Sequence, residues 1–343
     1  MMKECDVSVV IPTYNRTSPL RRALNSIAQQ TVQPSEVIII DDCSEATVIE
    51  EVKTIVSSFS ELLKIKLMVN ERNSGANYSR NTGVFAANGR YIAFLDSDDL
   101  WLPEKLERQI GAMEKAKIAS TKPIFSATGR YRVDGRGELI ARQFGGHVLT
   151  SQKIRRSNFI GTLSSVIVET AIARQIHGFN EALPASQDWD FFIRLSDYVQ
   201  YVGVAQPLCA YADHDNDRIS LNYRKKLQGH IAIYKNHIRH SRYSANTIRA
   251  EFLQHIAEDY QELGNRPKAA FFYANSIAAR ICPGLMEQVA ACVLRASFHV
   301  LSLPSLRQRR YQRYRRSLDH LLKNEETRAV ISEDRRIIRG LMA

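Results

Sequence analysis

A repeated alternation of strand-like and helix-like segments near the start of the chain places the strongest constraint on its fold. The strand-like segments, such as VSVVIP and EVIIID, are near-continuous runs of Val and Ile rather than strict alternations of apolar and polar residues. Such runs are typical of strands that are covered on both faces. The sequence therefore predicts an α/β fold with a doubly wound, mostly parallel sheet.

Polar clusters follow each of the first four predicted strands. They read PTYNR after the first strand, DDCS after the second, NERNSG after the third and DSDD after the fourth. In a sheet of this kind, ligands bind beyond the carboxyl ends of the strands. We therefore expect the four strand ends to form one shared binding edge.

The fourth predicted strand, in YIAFLDSDDLWLP, runs directly into three carboxylates, Asp96, Asp98 and Asp99, and then into Trp101, whose polar context predicts exposure. Carboxylates this close stay ionised at low cost when a cation compensates them, and their oxygens suit Mg²⁺ or Mn²⁺ with substrate phosphates. Alternatively, Asp98 and Asp99 cap a helix that begins near Leu102. The DSDD segment alone does not decide between these two interpretations.

Five segments, taken in order, resemble the family 2 glycosyltransferases, which have the GT-A fold. They are VSVVIPTYNR, IIIDDCS, NSGANYSRNTG, YIAFLDSDD and QDWDFFIRL, and the resemblance covers roughly Val7 to Ser220. It implies an inverting, metal-dependent transferase that uses Mn²⁺ or Mg²⁺. The expected donor is a nucleotide-diphosphate sugar, in particular a UDP-sugar, and the expected acceptor is a hydroxyl of a cell-surface saccharide or of a lipid-linked acceptor.

The resemblance also implies the donor site, because the family holds the nucleotide base with its first loop and second strand end, and ribose and metal with its acidic motif. Carried over to this chain, the donor-binding residues are Pro12, Thr13, Tyr14, Arg16, Asp41, Asp42, Arg80, Asp96 and Ser97, and the metal ligand is Asp98. Two alternatives stay open: Asp41 and Asp42 form a simple turn, or Arg80 pairs with a surface residue of its own helix.

Two positions raise questions of backbone conformation in this site. The chain has Cys43 where the family usually has glycine, so we expect Cys43 to adopt the conformation that glycine normally supplies. Gly75 is expected to permit a close approach of the backbone.

The segment SQDWDFFIRL places Asp188 and Asp190 at a predicted helix N-terminus, where peptide N–H groups favour carboxylates. The family's motif is Glu-Asp and its Asp is the catalytic base, so the resemblance gives this role to Asp188, with Gln187 in place of Glu. Asp190 lies four residues before Arg194, which is salt-bridge spacing along a helix and predicts a structural role.

The segment YADHDNDRIS resembles the part of the family that closes over the donor. The resemblance makes His214 a candidate metal ligand and Arg218 a candidate phosphate contact. A histidine without function in a polar loop is the alternative.

From about Leu221 the sequence becomes helical and basic. Residues 221–343 contain 22 Lys and Arg against 10 Asp and Glu, whereas residues 1–220 contain 25 against 26. The segment IAEDYQELGNRPKAAFFYANSIAA predicts a single helical hairpin of a generic kind. We therefore expect a transferase domain over 1–220 and a helical, basic region over 221–343.

A polybasic run, RQRRYQRYRR, extends from Arg307 to Arg316. It follows an apolar stripe at helical spacing, formed by Met286, Val289, Val293, Ala296, Val300 and Leu303. This combination predicts binding to an anionic membrane surface. Nucleic acid also binds clustered arginines, but the resemblance to glycosyltransferases makes nucleic acid an unexpected partner. An equally open alternative is that the apolar stripe packs in the core of the helical region and that the arginines form a solvated face.

The five cysteines are odd in number and include no Cys-x-x-Cys pair, which fits a reducing cytosol. Neither a signal peptide nor a spanning helix is expected, so we predict a cytoplasmic protein that associates peripherally with the inner face of the membrane. The oligomeric state is not predicted.

Two other functions compete with the transferase. A catalytically silent sugar-nucleotide-binding or scaffold protein would keep the fold, but the presence of Asp98 and Asp188 argues against it. A nucleotidyltransferase would need a glycine-rich, lysine-bearing loop after the first strand, and PTYNRTSPL is not one.

Overall fold

The computed structural model of the protein describes residues 3–146, 148–212, 222–239, 246–281 and 325–342, with the single positions 317, 318, 320 and 323. The strands are β1 Lys3–Thr13, β2 Val32–Asp41, β3 Ile65–Val69, β4 Tyr91–Phe94, β5 Leu100–Trp101, β6 Ile124–Val133, β7 Leu139–Gln143, β8 Val166–Glu169 and β9 Gln200–Ala212. The helices are α1 Ser18–Ala28, α2 Ala46–Ser58, α3 Ala76–Ala86, α4 Lys105–Ile118, α5 Ser151–Arg156, α6 Thr170–Gln175, α7 Gln187–Leu195, α8 Tyr223–Ile233, α9 Asn246–Glu262, α10 Arg266–Ile281 and α11 Glu325–Met342. A 3-10 turn, Leu163–Ser165, precedes β8, and a π-helical turn, Tyr234–Ile238, follows α8.

Within the described residues, one sheet has the strand order β3-β2-β1-β4-β8-β6-β9-β5, with β7 beside β6. The first four strands of this order are parallel, as the βα rhythm predicts. Strand β8 is antiparallel to both β4 and β6, while β6 and β9 are parallel. The predicted α/β sheet followed by helices is thus confirmed, and its second half is mixed rather than parallel.

Strand β1 shows why continuous apolar runs predicted a sheet covered on both faces. Val9 packs into a core cluster with Leu20 and Leu24 of α1. Its neighbour Val10 packs into the opposite cluster, because successive side chains of a strand point to opposite faces. On that face α3 lies very close to β1, since a Cβ atom at Gly83 would be 2.3 Å from Val10 Cγ1.

The segment after β4 differs from the prediction in two respects. Trp101 is fully buried, and its Nε1 donates to the carbonyl oxygen of Ser164 at 2.8 Å. Helix α4 begins at Lys105 rather than near Leu102. A short strand, β5, separates the acidic segment from that helix, so the helix-cap interpretation of Asp98 and Asp99 is wrong.

Helices from the second half of the chain pack on the sheet domain in two places. Helices α9 and α10 form the predicted hairpin, and Phe252 of α9 lies 4.8 Å from Trp189 of α7 between ring centroids. Helix α11 packs near β6 and β7, where Ile331 and Ile338 are buried. Tyr131 donates a hydrogen bond to Asp334 at this contact.

No helix in the described ranges combines the length and apolar composition needed to cross a membrane. The apolar stripe from Met286 to Leu303 and the polybasic run from Arg307 to Arg316 lie outside the described residues. Their predicted membrane role therefore stays a prediction.

Candidate active site

The turn after β2 is held by the hydrogen bonds of two buried carboxylates. Ser44 donates to both oxygens of Asp41, through its N and its Oγ, each at 2.7 Å. Asp42 accepts from Asn70 Nδ2 at 2.8 Å and from Gly75 N at 2.7 Å. Asp41 therefore shapes the turn, and Asp42 connects β2 to the start of α3. Binding of the nucleotide base by these two carboxylates stays a prediction.

Cys43, in this turn, and Gly75, just before α3, both have positive φ angles. Cys43 has a φ of 63°, so it does adopt the conformation that glycine normally supplies. Gly75 has a φ of 87°, and a Cβ atom there would meet no atom within 4 Å. The backbone conformation, rather than a close approach, therefore requires glycine at position 75.

The loop after β1 lies beside the acidic segment. Pro12 and Thr13 are buried at the end of the strand, while Tyr14 is 46% exposed at the rim. Arg16 Nη1 lies 2.7 Å from Asp98 Oδ2 in a salt bridge. This ion pair joins the first and fourth strand ends, so the predicted convergence of these two loops is confirmed.

A second ion pair lies at the same edge, between α3 and the end of β4. Arg80 Nη2 donates to Asp96 Oδ1 at 2.7 Å, and its guanidinium lies 5.7 Å from the Phe179 ring centroid. Arg80 is buried and its Nε has no hydrogen-bond partner among the described residues. The alternative in which Arg80 pairs along the surface of its own helix is therefore wrong.

The other two residues of the acidic segment are buried. Ser97 is 4% exposed. Asp99 accepts from Ser164 Oγ at 2.6 Å and from the backbone N of Ala212 at 3.1 Å. Asp99 thus ties the turn before β8 to the end of β9, which is a structural role.

Asp188 lies in the first turn of α7, and both of its carboxylate oxygens accept hydrogen bonds. Asn158 Nδ2 donates to Oδ2 at 2.7 Å, and the backbone N of Trp189 donates to Oδ1 at 2.8 Å. Burial raises the pKa of Asp188 above its ordinary value, with Arg80 lowering that pKa and Asp96 raising it. Asp188 therefore lies within electrostatic reach of the Arg80–Asp96 pair. An oriented carboxylate with a raised pKa is suited to general base catalysis.

Asp190, two residues further along the first turn of α7, has different partners. Arg194 Nε donates to Oδ2 at 2.8 Å, which is the salt bridge that the spacing predicted. His237 Nε2, from the π-helical turn, lies 2.7 Å from Oδ1. Burial alone would raise the pKa of Asp190, but His237 and Arg194 more than offset it and hold this pKa below its usual value.

Sequence reasoning missed two residues that support this motif. Asn158 is 30 positions from Asp188, and His237 is 47 positions from Asp190. Both lie outside any recognisable local pattern. A hydrogen-bonding residue far away in the sequence carries no periodic or motif signal, so only the tertiary structure reveals it.

Asp98 is a suitable carboxylate ligand for a metal ion at this edge of the sheet. Among the residues that the structure describes, no group of three or more His, Cys, Asp and Glu side chains is arranged to hold a metal. Mg²⁺ and Mn²⁺ in nucleotide sites need only one or two carboxylates, because substrate phosphates and water complete the shell. Asp98 fits such a donor set. His214 and Arg218 lie outside the described residues, so their roles stay predictions.

Comparison with known proteins gives a family match over the sheet domain. The model of the family described as Glycosyl transferase family 2 matches residues 8–173. An uncharacterized glycosyltransferase of Methanocaldococcus jannaschii is 30% identical over 250 residues, 71% of this chain and 82% of that protein. The amylovoran biosynthesis glycosyltransferase AmsB of Erwinia amylovora is 30% identical over 217 residues, 61% of this chain and 70% of that protein.

A further relative is the UDP-Glc:alpha-D-GlcNAc-diphosphoundecaprenol beta-1,3-glucosyltransferase WfgD of Escherichia coli. It is 32% identical over 166 residues, 48% of this chain. The match spans only 61% of the length of that protein, and the same share of an uncharacterized glycosyltransferase of Haemophilus influenzae.

Among solved structures, residues 1–349 of S. aureus TarS in complex with UDP-GlcNAc have a TM-score of 0.58 and 20% sequence identity to this protein. The superposition covers 84% of this chain and 88% of that chain. This likeness confirms the GT-A fold with a helical continuation.

Proposed function

Because the chain belongs to glycosyltransferase family 2, we propose that it is an inverting glycosyltransferase that moves a sugar from a nucleotide-diphosphate sugar to an acceptor hydroxyl. One observation carries this proposal. Asp188 is oriented by Asn158 and lies within electrostatic reach of the Arg80–Asp96 pair at the strand ends. A prospective base thus stands beside a prospective donor site.

The donor would lie across the ends of β1, β2 and β4. The exposed ring of Tyr14 is suited to stacking on a nucleotide base. The carboxylate of Asp42 is suited to accepting a hydrogen bond from the imide N–H of that base. Asp96 is suited to binding ribose hydroxyls. Arg80 orients Asp96 through its hydrogen bond to Oδ1. The name of the E. coli relative includes UDP-Glc, which supports a UDP-sugar as donor.

Departure of the nucleotide requires compensation of the diphosphate charge. A bound Mn²⁺ or Mg²⁺ ion would supply this compensation as a Lewis acid, held by Asp98 with His214. Arg16 contacts Asp98, and Arg22, whose pKa burial lowers while Asp98 partly offsets that effect, adds a second positive charge at this place. These cations favour departure of the nucleoside diphosphate, whose negative charge increases when the bond to the anomeric carbon breaks.

Asp188 would take the proton of the acceptor hydroxyl as it attacks the anomeric carbon from the face opposite the diphosphate. Attack from that face inverts the anomeric centre. A single base suffices, because no covalent intermediate has to be formed and broken. The raised pKa of Asp188 strengthens it as a proton acceptor.

For the acceptor, the name of one relative includes amylovoran biosynthesis, and the name of another includes alpha-D-GlcNAc-diphosphoundecaprenol. We propose a saccharide or lipid-linked acceptor for this chain as well. Residues 1–220 would form the transferase domain, and the basic region over 221–343 would face an anionic membrane surface.

Calorimetric titration with UDP, with and without Mn²⁺, tests the donor site. The wild type, Asp98→Asn and the surface control Glu104→Gln are compared. We expect metal-dependent binding in the wild type and the control, and binding weakened by about tenfold or more in Asp98→Asn. Absence of UDP binding in every condition would remove the transferase proposal.

Release of UDP from UDP-glucose and UDP-N-acetylglucosamine tests the base. In Asp188→Asn we expect turnover to fall by about 10²–10⁴-fold while the Kd for UDP stays within about twofold. An equal loss of UDP affinity in this variant would take the base role from Asp188.

A further inference from the structure

A cavity of about 560 Å³ lies between the sheet domain and the helical hairpin. One wall comes from α5 and the loop after it, and the other from α9 and α10. The residues that bear on its chemistry are Lys153, Arg156, Phe159, Glu251, His255 and Arg280. Its volume is within the range of sites that bind small molecules.

The wall of this cavity is continuous with the support of Asp188. Ser157 and Phe159 line the cavity, and the residue between them, Asn158, donates to Asp188 Oδ2 at 2.7 Å. On the opposite wall, the ring of His255 lies 5.7 Å from that of Trp189, the residue after the base. The cavity wall and the hydrogen-bond support of Asp188 therefore belong to the same short segment of chain.

The cavity carries an excess of positive charge. Three of its lining residues are cationic, and Glu251 is the one carboxylate among them. Arg156 uses its guanidinium to bind Glu251. Within the described part of the chain, Lys153 and Arg280 form no salt bridge, and the contact of Arg280 with Gln254 is long, at 3.4 Å. Two cations are thus left to attract an anion.

The remaining lining is partly apolar. Phe159 is half-buried, and Val148 is 64% exposed at the same cavity. An aromatic side chain offers a face for a sugar ring, whose C–H groups are apolar, and the two cations lie on other parts of the wall. The lining therefore matches a ligand that joins a saccharide to an anionic group.

We propose that this cavity is an acceptor subsite that binds a phosphate or diphosphate group attached to the acceptor sugar, through Lys153 and Arg280. The inference rests on the proposed transferase function, since it assigns the anion to the acceptor rather than to the donor. The phosphate belongs either to a soluble sugar phosphate or to a lipid-linked sugar, and the two sources differ in the experiment below.

The test uses the full chain with its donor site filled by UDP and Mn²⁺, so that added phosphate cannot bind there. Glucose 1-phosphate and uncharged glucose are titrated into the wild type and the double variant Lys153→Gln/Arg280→Gln. The double variant Lys225→Gln/Arg266→Gln removes one exposed Lys and one exposed Arg outside the cavity and serves as the matched control. Phosphatidylcholine vesicles, with and without prenyl-diphosphate-linked glucose, provide the lipid arm.

We expect the wild type and the control to bind a phosphate-bearing probe and the cavity variant to bind it about tenfold or more weakly, because charge-assisted hydrogen bonds are lost. Binding of glucose 1-phosphate in solution would indicate a soluble acceptor, and binding of only the loaded vesicles a lipid-linked one. Equal binding of both double variants to every probe would overturn the subsite while leaving UDP binding, and so the transferase, intact. A wild type that binds the probe through Lys153 and Arg280 but never UDP would support the cavity and remove the transferase.

Discussion

The guanidinium of Arg16 lies 2.7 Å from Oδ2 of Asp98, so the loop after β1 contacts the carboxylate that is the predicted metal ligand. The two side chains are 37% and 14% exposed. Partly exposed pairs of this kind contribute roughly 0–1 kcal/mol. A divalent ion that binds Asp98 must therefore compete with Arg16, but only against a weak interaction.

Replacing Arg16 tests this competition. We expect Arg16→Gln to tighten Mn²⁺ binding by the nucleotide-free protein about two- to fivefold, because one oxygen of Asp98 is released. Electron paramagnetic resonance of free Mn²⁺ during titration measures this affinity, and Arg21→Gln, an exposed neighbour, is the control. Unchanged Mn²⁺ affinity in Arg16→Gln would contradict a measurable competition between Arg16 and the ion for Asp98.

Removing the hydrogen bond from Asn158 should change the pH dependence of transfer. This bond lowers the pKa of Asp188, so in Asn158→Ala that pKa rises further above its ordinary value. A base works only when deprotonated, so the acidic limb of the kcat profile should move to higher pH. UDP release measured between about pH 4 and 9 shows this limb, and Gln152→Ala, at an exposed position of α5 outside the cavity, is the control. A uniform loss of rate at all pH values would mean that Asn158 only maintains the structure.

The fully buried Lys105 should make stability depend on pH. Its ammonium lies 4.1 Å from the Trp101 ring centroid, and burial lowers its pKa from 10.5 to about 7. Between these two values the unfolded chain holds a proton that the folded protein lacks, so the free energy of unfolding rises with pH across this window. Below about pH 7 the destabilisation is complete.

We therefore expect Lys105→Met to raise the free energy of unfolding at pH 7 by about 2–4 kcal/mol and to flatten its rise towards pH 10. This range allows for the lost contacts with Trp101 and with Gln109 Oε1, which lies 2.9 Å from the Lys105 Nζ. Urea unfolding at both pH values measures the effect, and exposed Lys115→Met on the same helix should change little. Destabilisation of Lys105→Met at pH 7 would contradict this account.

The polybasic run is best tested by substitution, because truncation would also remove α11, whose Ile331 and Ile338 are buried against the sheet domain. Replacing the six arginines between Arg307 and Arg316 by glutamine should abolish binding to vesicles that contain anionic lipid. Wild-type binding should weaken with salt and be absent on neutral vesicles. Unchanged sedimentation of the substituted protein with anionic vesicles would indicate a solvated face.

Much of the fold follows from local patterns. The alternation of strand-like and helix-like segments predicted the βα order of β1 to β4, as observed, and the continuous Val and Ile of β1 predicted burial on both faces. The antiparallel entry of β8 between β4 and β6 was not predictable, since strand order depends on pairing between distant segments.

The residues of the candidate site likewise fall into two groups, those that motifs predicted and those that only the tertiary structure reveals. Asp188 and Arg80 were recognisable from motifs, whereas Asn158 and His237 act through contacts over long sequence separations. The solvent exposure of Trp101 also differs from the prediction. The acidic context of Trp101 predicts exposure, but its indole N–H finds a buried carbonyl and the side chain is enclosed. The free energy gained by burying a large aromatic ring outweighs the preference of its polar sequence neighbours for solvent.

The packing of α11 has a consequence for how the protein is made. The hydrogen bond between Tyr131 and Asp334 joins residues 203 positions apart. At ribosomal rates of about 5–20 residues per second, Asp334 is synthesised roughly 10–40 s after Tyr131. During that interval β6 and β7 have left the ribosome without their covering helix. The nascent chain therefore exposes an apolar sheet surface late in its synthesis, at which chaperone binding competes with aggregation.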